Sequence, residues 1–93
     1  MSPKEAIAVA KTYVADLFAA EGARNVGLEE LKFDDRRSVW EVTVGFTRDW
    51  ELSWGQKFTA DPDVRSFPRT FKTVEVRDED GQVLGLKHWP LAA

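Results

Sequence analysis

The chain has no cysteine. That excludes disulfides, thiolate nucleophiles and any zinc site built on sulfur. It has one histidine, His88. A catalytic imidazole needs an orienting partner and a nucleophile or water to serve, and a metal site usually needs a second imidazole or a thiolate. There is no glycine-rich phosphate loop, no serine elbow of the Gly-x-Ser-x-Gly type and no excess of basic charge. Thirteen Lys and Arg against sixteen Asp and Glu leave a net charge of −3, whereas nucleic-acid binders draw their affinity from a basic stripe. The densest basic spot, Arg36-Arg37, follows Asp34-Asp35 and reads as a solvated turn. No run approaches the roughly 18 apolar residues of a membrane span. At the N-terminus, Lys11 and Asp16 interrupt the apolar run too early for a signal peptide. The expectation is a cytoplasmic protein with no cofactor, no membrane partner and no nucleic-acid partner.

What is present is enough for one core. Ninety-three residues, 43% hydrophobic and 12% aromatic, make a single domain that buries roughly 60–65% of its unfolded surface. Ser2-Pro3-Lys4-Glu5 is a capping box: Ser2 can accept from the Glu5 N–H while Glu5 reaches back to Ser2. Pro3 falls at the first helical position, where its missing donor costs nothing. Ile7, Ala10, Val14, Leu17 and Phe18 then recur on one helical face, and Gly22 supplies a stop. The spacing predicts a helix over 3–21.

Beyond Gly22 the period changes to two. Leu31 and Phe33 alternate, with Leu28 out of phase, which predicts a strand over about 28–33 with a bulge near Glu29-Glu30, or a strand that begins only there. In the strand predicted over 39–47, Trp40, Val42, Val44 and Phe46 form the core face, and Val39, Glu41, Thr43 and Gly45 point away. Strands are also expected over 69–78 and 82–89, joined by the tight turn Asp78-Glu79-Asp80-Gly81. In the last strand, parity groups Leu84 and Leu86 on one face, His88 with them, and Val83, Lys87 and Trp89 on the other. The resulting fold class is α+β: one N-terminal helix on an antiparallel sheet of about four strands, in two layers.

Two stretches resemble PepSY-type domains. Lys4-Glu5-Ala6-Ile7-Ala8-Val9-Ala10 is similar to their opening helix, with its E-A-I-x-x-A pattern. Thr73 to Leu84, a strand, an acidic turn ending in glycine and a returning apolar strand, is similar to their closing hairpin. The resemblance implies a cystatin-like arrangement of helix on antiparallel sheet, and a habit of binding or inhibiting other proteins, peptidases included.

The segment 48–67 breaks the pattern. Trp50, Trp54, Phe58 and Phe67 carry much of the large apolar surface yet lie outside the expected strands. Such residues either close one end of the core or form a recognition surface, where aromatic side chains concentrate binding energy. Asp78-Glu79-Asp80-Gly81 fails as a calcium loop, because counting back from Gly81 puts Val76 in first place and Lys87 where the bidentate glutamate belongs. The carboxylates Asp61/Asp63 and Glu29/Glu30 fall in polar stretches, without the cleft that glycosidase chemistry needs. The leading expectation is a non-enzymatic module that binds a protein partner through Trp50, Trp54, Phe58 and Phe67. Two others remain open: a ligand pocket or weak hydrolytic site between helix and sheet with His88 at its mouth, and a structural homodimer formed at a sheet edge.

Overall fold

A computed structural model describes residues 1–48 and 69–89. It shows a helix α1 (Pro3–Leu17), a 3-10 turn (Ala19–Glu21) and strands β1 (Arg24–Asp34), β2 (Val39–Thr47), β3 (Thr70–Arg77) and β4 (Val83–Trp89). All neighbouring strands are antiparallel, in the order β1-β2-β3-β4. The α+β class read from the sequence is the class observed.

The helix starts where the capping box places it. The Glu5 N–H donates to Ser2 Oγ at 3.2 Å and the Ser2 N–H to Glu5 Oε1 at 3.3 Å, satisfying two of the donors that a helix N-terminus leaves open. The α-helix ends at Leu17, and the stretch to Glu21 tightens into a 3-10 turn that closes on Gly22 at φ 71°. The fully buried stripe is Ala6, Ala10 and Val14. Ile7 and Phe18 are only partly buried and Leu17 is 51% exposed, so the expected stripe is rotated slightly. At the lower end the Phe18 ring lies 4.8 Å from that of Phe46, so Phe18 rather than Leu17 meets the core there.

Val42, Val44 and Phe46 of β2 are fully buried beneath the helix, with Val74 and Val76 of β3 beside them. The alanines at 6 and 10 are small, and this lets the helix axis sit close to that layer. Trp40 is partly buried, and its indole N–H donates to Asp78 Oδ1 at 2.9 Å. The α-amino nitrogen of Met1 meets the same oxygen at 3.0 Å. One carboxylate thus ties the start of the chain to both hairpins. At Gly81, with φ 74°, the left-handed conformation suits glycine, and a Cβ would also stand 2.9 Å from Met1 Cε.

β1 is longer than the 28–33 expected, because it pairs across two irregularities, between Arg24 and Gly27 and between Leu28 and Glu30. The second is the bulge expected there. β4 departs from simple parity. A register shift opposite Glu75 and Val76 sets Val83 against Val76, and Leu86 against Val74. Val83 therefore packs against the core, while Leu84, expected to share a face with Leu86, is 46% exposed. The α1 helix packs over β1, β2 and β3 and barely meets β4.

Candidate functional site

The offset of α1 leaves a gap along one flank. Ala8, Val9, Thr12, Tyr13 and Asp16 of the helix face Val83 of β4 across a shallow, mostly apolar groove of about 440 Å³. Helix and strand run the same way here. Met1 and Val9 lie near Gly81 at the upper end, and Phe18 meets Phe46 at the lower. From Val9 to Asp16 the helix descends ~10 Å. About three strand residues cover that distance, so Asp16 stands near the level of Leu86. Asp16 and Thr12 give the groove a polar lip while its floor stays apolar. β4 forms its outer wall and, among the described residues, has no strand beyond it. Val9 and Tyr13 are four apart and carry apolar surface beside the Ala6-Ala10-Val14 stripe; that widening is the sequence signal for a second helical flank.

On the face away from the helix, the chemistry is ionic. Arg37 Nη2 lies 2.8 Å from Glu75 Oε2 and 3.4 Å from Glu41 Oε1, and its Nε donates to Asp34 Oδ2 at 2.8 Å. Lys87 of β4 reaches the same Glu75 oxygen at 3.3 Å. Burial alone would raise the Glu75 carboxyl, but the bonds from Arg37 and Lys87 outweigh it and hold it below the ordinary value. Arg37 is thus more than a solvated turn residue: it joins the β1–β2 turn to β3. Asp34 is lowered first by the Arg37 side chain, and its Oδ1 also accepts from the Arg36 and Arg37 N–H groups. Lower on this face Thr43 and Thr73 share a buried hydrogen bond of 2.9 Å.

The second turn is built the same way. Asp80 takes Arg77 Nη2 at 2.7 Å and the Gln82 N–H at 3.0 Å, and its carboxyl is lowered to about 2, chiefly by Arg77. Its oxygens are committed to holding the turn. Glu29 and Glu30 face Arg69 and Lys32, at 3.7 and 3.4 Å. No group of three His, Asp or Glu side chains is arranged to hold a metal among the described residues.

His88 is exposed and does not line the groove; its Nδ1 lies 3.5 Å from Lys72 Nζ. Trp50, Trp54, Phe58 and Phe67 lie outside the described residues. No helix among the described residues is long and apolar enough to cross a membrane. In comparisons with family models, curated proteins and solved structures, nothing matches the chain.

Proposed function

We propose that the chain is a non-enzymatic protein-binding module that takes up an extended segment of its partner along the outer edge of β4. The observation that supports this most is the groove between α1 and an edge strand. A peptide adding to such an edge gains main-chain hydrogen bonds, and alternate side chains enter the space beside the helix. A cavity of several hundred Å³ is of a size to take one or two apolar side chains. The turn and far-face carboxylates are held by arginine, lysine or the N-terminal amine, and the described groove lining brings Asp16 and Tyr13 together without an imidazole, which favours binding over chemistry. The PepSY-like pattern of opening helix and closing hairpin agrees with a protein-binding role. The aromatic residues Trp50, Trp54, Phe58 and Phe67 keep, from composition alone, their reading as a further recognition surface.

Selection of displayed peptides against the whole chain tests the reading. The expected winners carry an apolar residue flanked by β-formers and move the amide resonances of β4 and of residues 8–16. Ala8→Arg, which places a long side chain in the groove from an exposed position, is expected to weaken them at least tenfold, without loss of fold. Peptides whose binding ignores Ala8→Arg and whose shifts fall elsewhere would overturn it. A second reading, a small apolar ligand in the same groove, rests on the groove volume. It predicts a ligand-induced rise in Tm that Ala8→Arg abolishes and that peptides do not compete.

A further inference from the structure

The β3–β4 hairpin has a charge polarity that the described residues compensate only in part. At its upper end stand Asp78, Glu79 and Asp80; at its lower end stand Lys72, Lys87 and His88. Several of these are satisfied internally. Asp80 pairs with Arg77, Asp78 with the Met1 nitrogen and Trp40, and Lys87 with Glu75. Two are not. Glu79 is exposed and makes no hydrogen bond or close ion pair among the described residues, its charge acting only at longer range on Arg77. Lys72 has no carboxylate within reach among them, its one polar neighbour being the His88 imidazole. The two leftover charges are of opposite sign and sit at opposite ends of one hairpin, Glu79 in its turn and Lys72 on β3, beside His88 of the edge strand.

We infer that the strand taken up by β4 is the β4 of a second copy, paired antiparallel about a two-fold axis normal to the sheet. The inference rests on the reading of β4 as the docking edge and names its occupant. A two-fold of this kind sets the lower end of each hairpin beside the upper end of the other. Each Glu79 is then turned toward His88 of the other copy, with Lys72 one strand behind it, and the contact occurs twice, as an isologous interface requires. Parallel pairing would set acid on acid and base on base. The product is an eight-stranded sheet with both helices on one face, their grooves flanking the seam. Leu84, among the four most exposed large apolar residues described, stands on the strand that becomes central. The opposite edge is a poorer template. β1 is interrupted by two register shifts against one in β4, and its Glu30 and Lys32 are already paired with each other; such features blunt an edge.

An interface made by one short strand is small, so association belongs in the micromolar to millimolar range. Sedimentation of the full chain from about 1 μM to about 1 mM is expected to show a monomer–dimer equilibrium that weakens as salt rises. Leu84→Lys is expected to raise the dissociation constant roughly tenfold or more, because a lysine on an edge strand opposes pairing. Glu79→Lys and Lys72→Glu are each expected to weaken the dimer several-fold, and the double variant to restore it, since it reverses both members of each contact. A chain that stays monomeric at 1 mM, or a dimer indifferent to Leu84→Lys in a variant with unchanged circular dichroism, overturns the inference. If the chain is monomeric but selected peptides still move the β4 amides, the edge reading stands and only the second copy is excluded as its occupant. If nothing binds β4 and nothing dimerises, both fail.

Discussion

One helix has two unlike flanks. Toward β1, β2 and β3, Ala6, Ala10 and Val14 are sealed against Val42, Val44, Phe46, Val74 and Val76. Toward β4, Ala8, Val9, Thr12, Tyr13 and Asp16 border an open groove. The difference comes from both position and composition: both flanks carry alanine and valine, but the open one adds Thr12, Tyr13 and Asp16. Where small side chains stack in register at 6 and 10, the helix settles close to the sheet, and the close approach fixes its axis over the first three strands. A single helix cannot span four strands at ~4.8 Å spacing with equal contact, so the fourth strand is left with its helix side partly uncovered. The close-packed flank supplies the stability, and the open one is the surface proposed to bind.

The largest expected effect strikes at that asymmetry. Ala10→Leu forces extra volume into a site with no exposed surface and is expected to cost about 1–3 kcal/mol, with more if the helix cannot shift. Ala8→Leu adds the same atoms to the open flank, and there the expected change stays within about 0.5 kcal/mol in either direction. Urea denaturation of the two variants checks the pair. Equal losses would mean that the groove is as close-packed as the core, and the distinction would collapse.

A smaller effect concerns local opening. β4 has its ladder to β3 on one side and little helix above it, while β2 is paired on both sides and buried. Native-state amide exchange, at concentrations below those that allow dimers, is expected to show β4 opening at a free energy below the global value, and β2 only at the global one. Uniform protection across both strands would show that helix cover does not control the stability of the edge.

Much of this fold was legible in the sequence, and the parts that were not have definite causes. The capping box worked because Ser2 and Glu5 act on each other locally, with no help from the rest of the chain. β2 read correctly at both ends because its alternation faces a helix on one side and polar groups on the other. Parity failed at β4, where a register shift opposite Glu75 and Val76 turns Val83 inward and leaves Leu84 out; a shift belongs to a pair of strands, and one strand read alone does not contain it. Leu17 was counted into the core because it fits the helical period, but the period says nothing about Phe18 closing the lower end first. A pocket between helix and sheet was an open expectation, but its place was hidden for a similar reason. It is defined by which strand the helix misses, and His88, the one residue singled out for a pocket mouth, lies beyond it. Arg37 looked like one half of a solvated pair until the antiparallel register brought Glu75 beside it.

The smallest effect is set by acid. β4, short of helix cover, is also held from the other face of the sheet, where Lys87 and Arg37 share Glu75. Glu75 is lowered from its ordinary value in the folded chain, so its contribution to stability is fully present above the unfolded value near 4.3. That contribution is lost as pH falls from there through the lower folded value. Asp80, lowered to about 2, gives up its hold on Arg77 later in the same descent, and the turn that leads into β4 loosens with it. Acidification from pH 5 toward pH 2 should therefore raise amide exchange in β4 before it does so in β2, once intrinsic rates are corrected for pH. Glu75→Gln should bring that early opening to neutral pH and flatten the upper part of the profile, leaving the Asp80-dependent part in place. If β2 and β4 loosen together in acid, or if Glu75→Gln leaves β4 unchanged at pH 7, the far-face network is not what holds the uncovered edge.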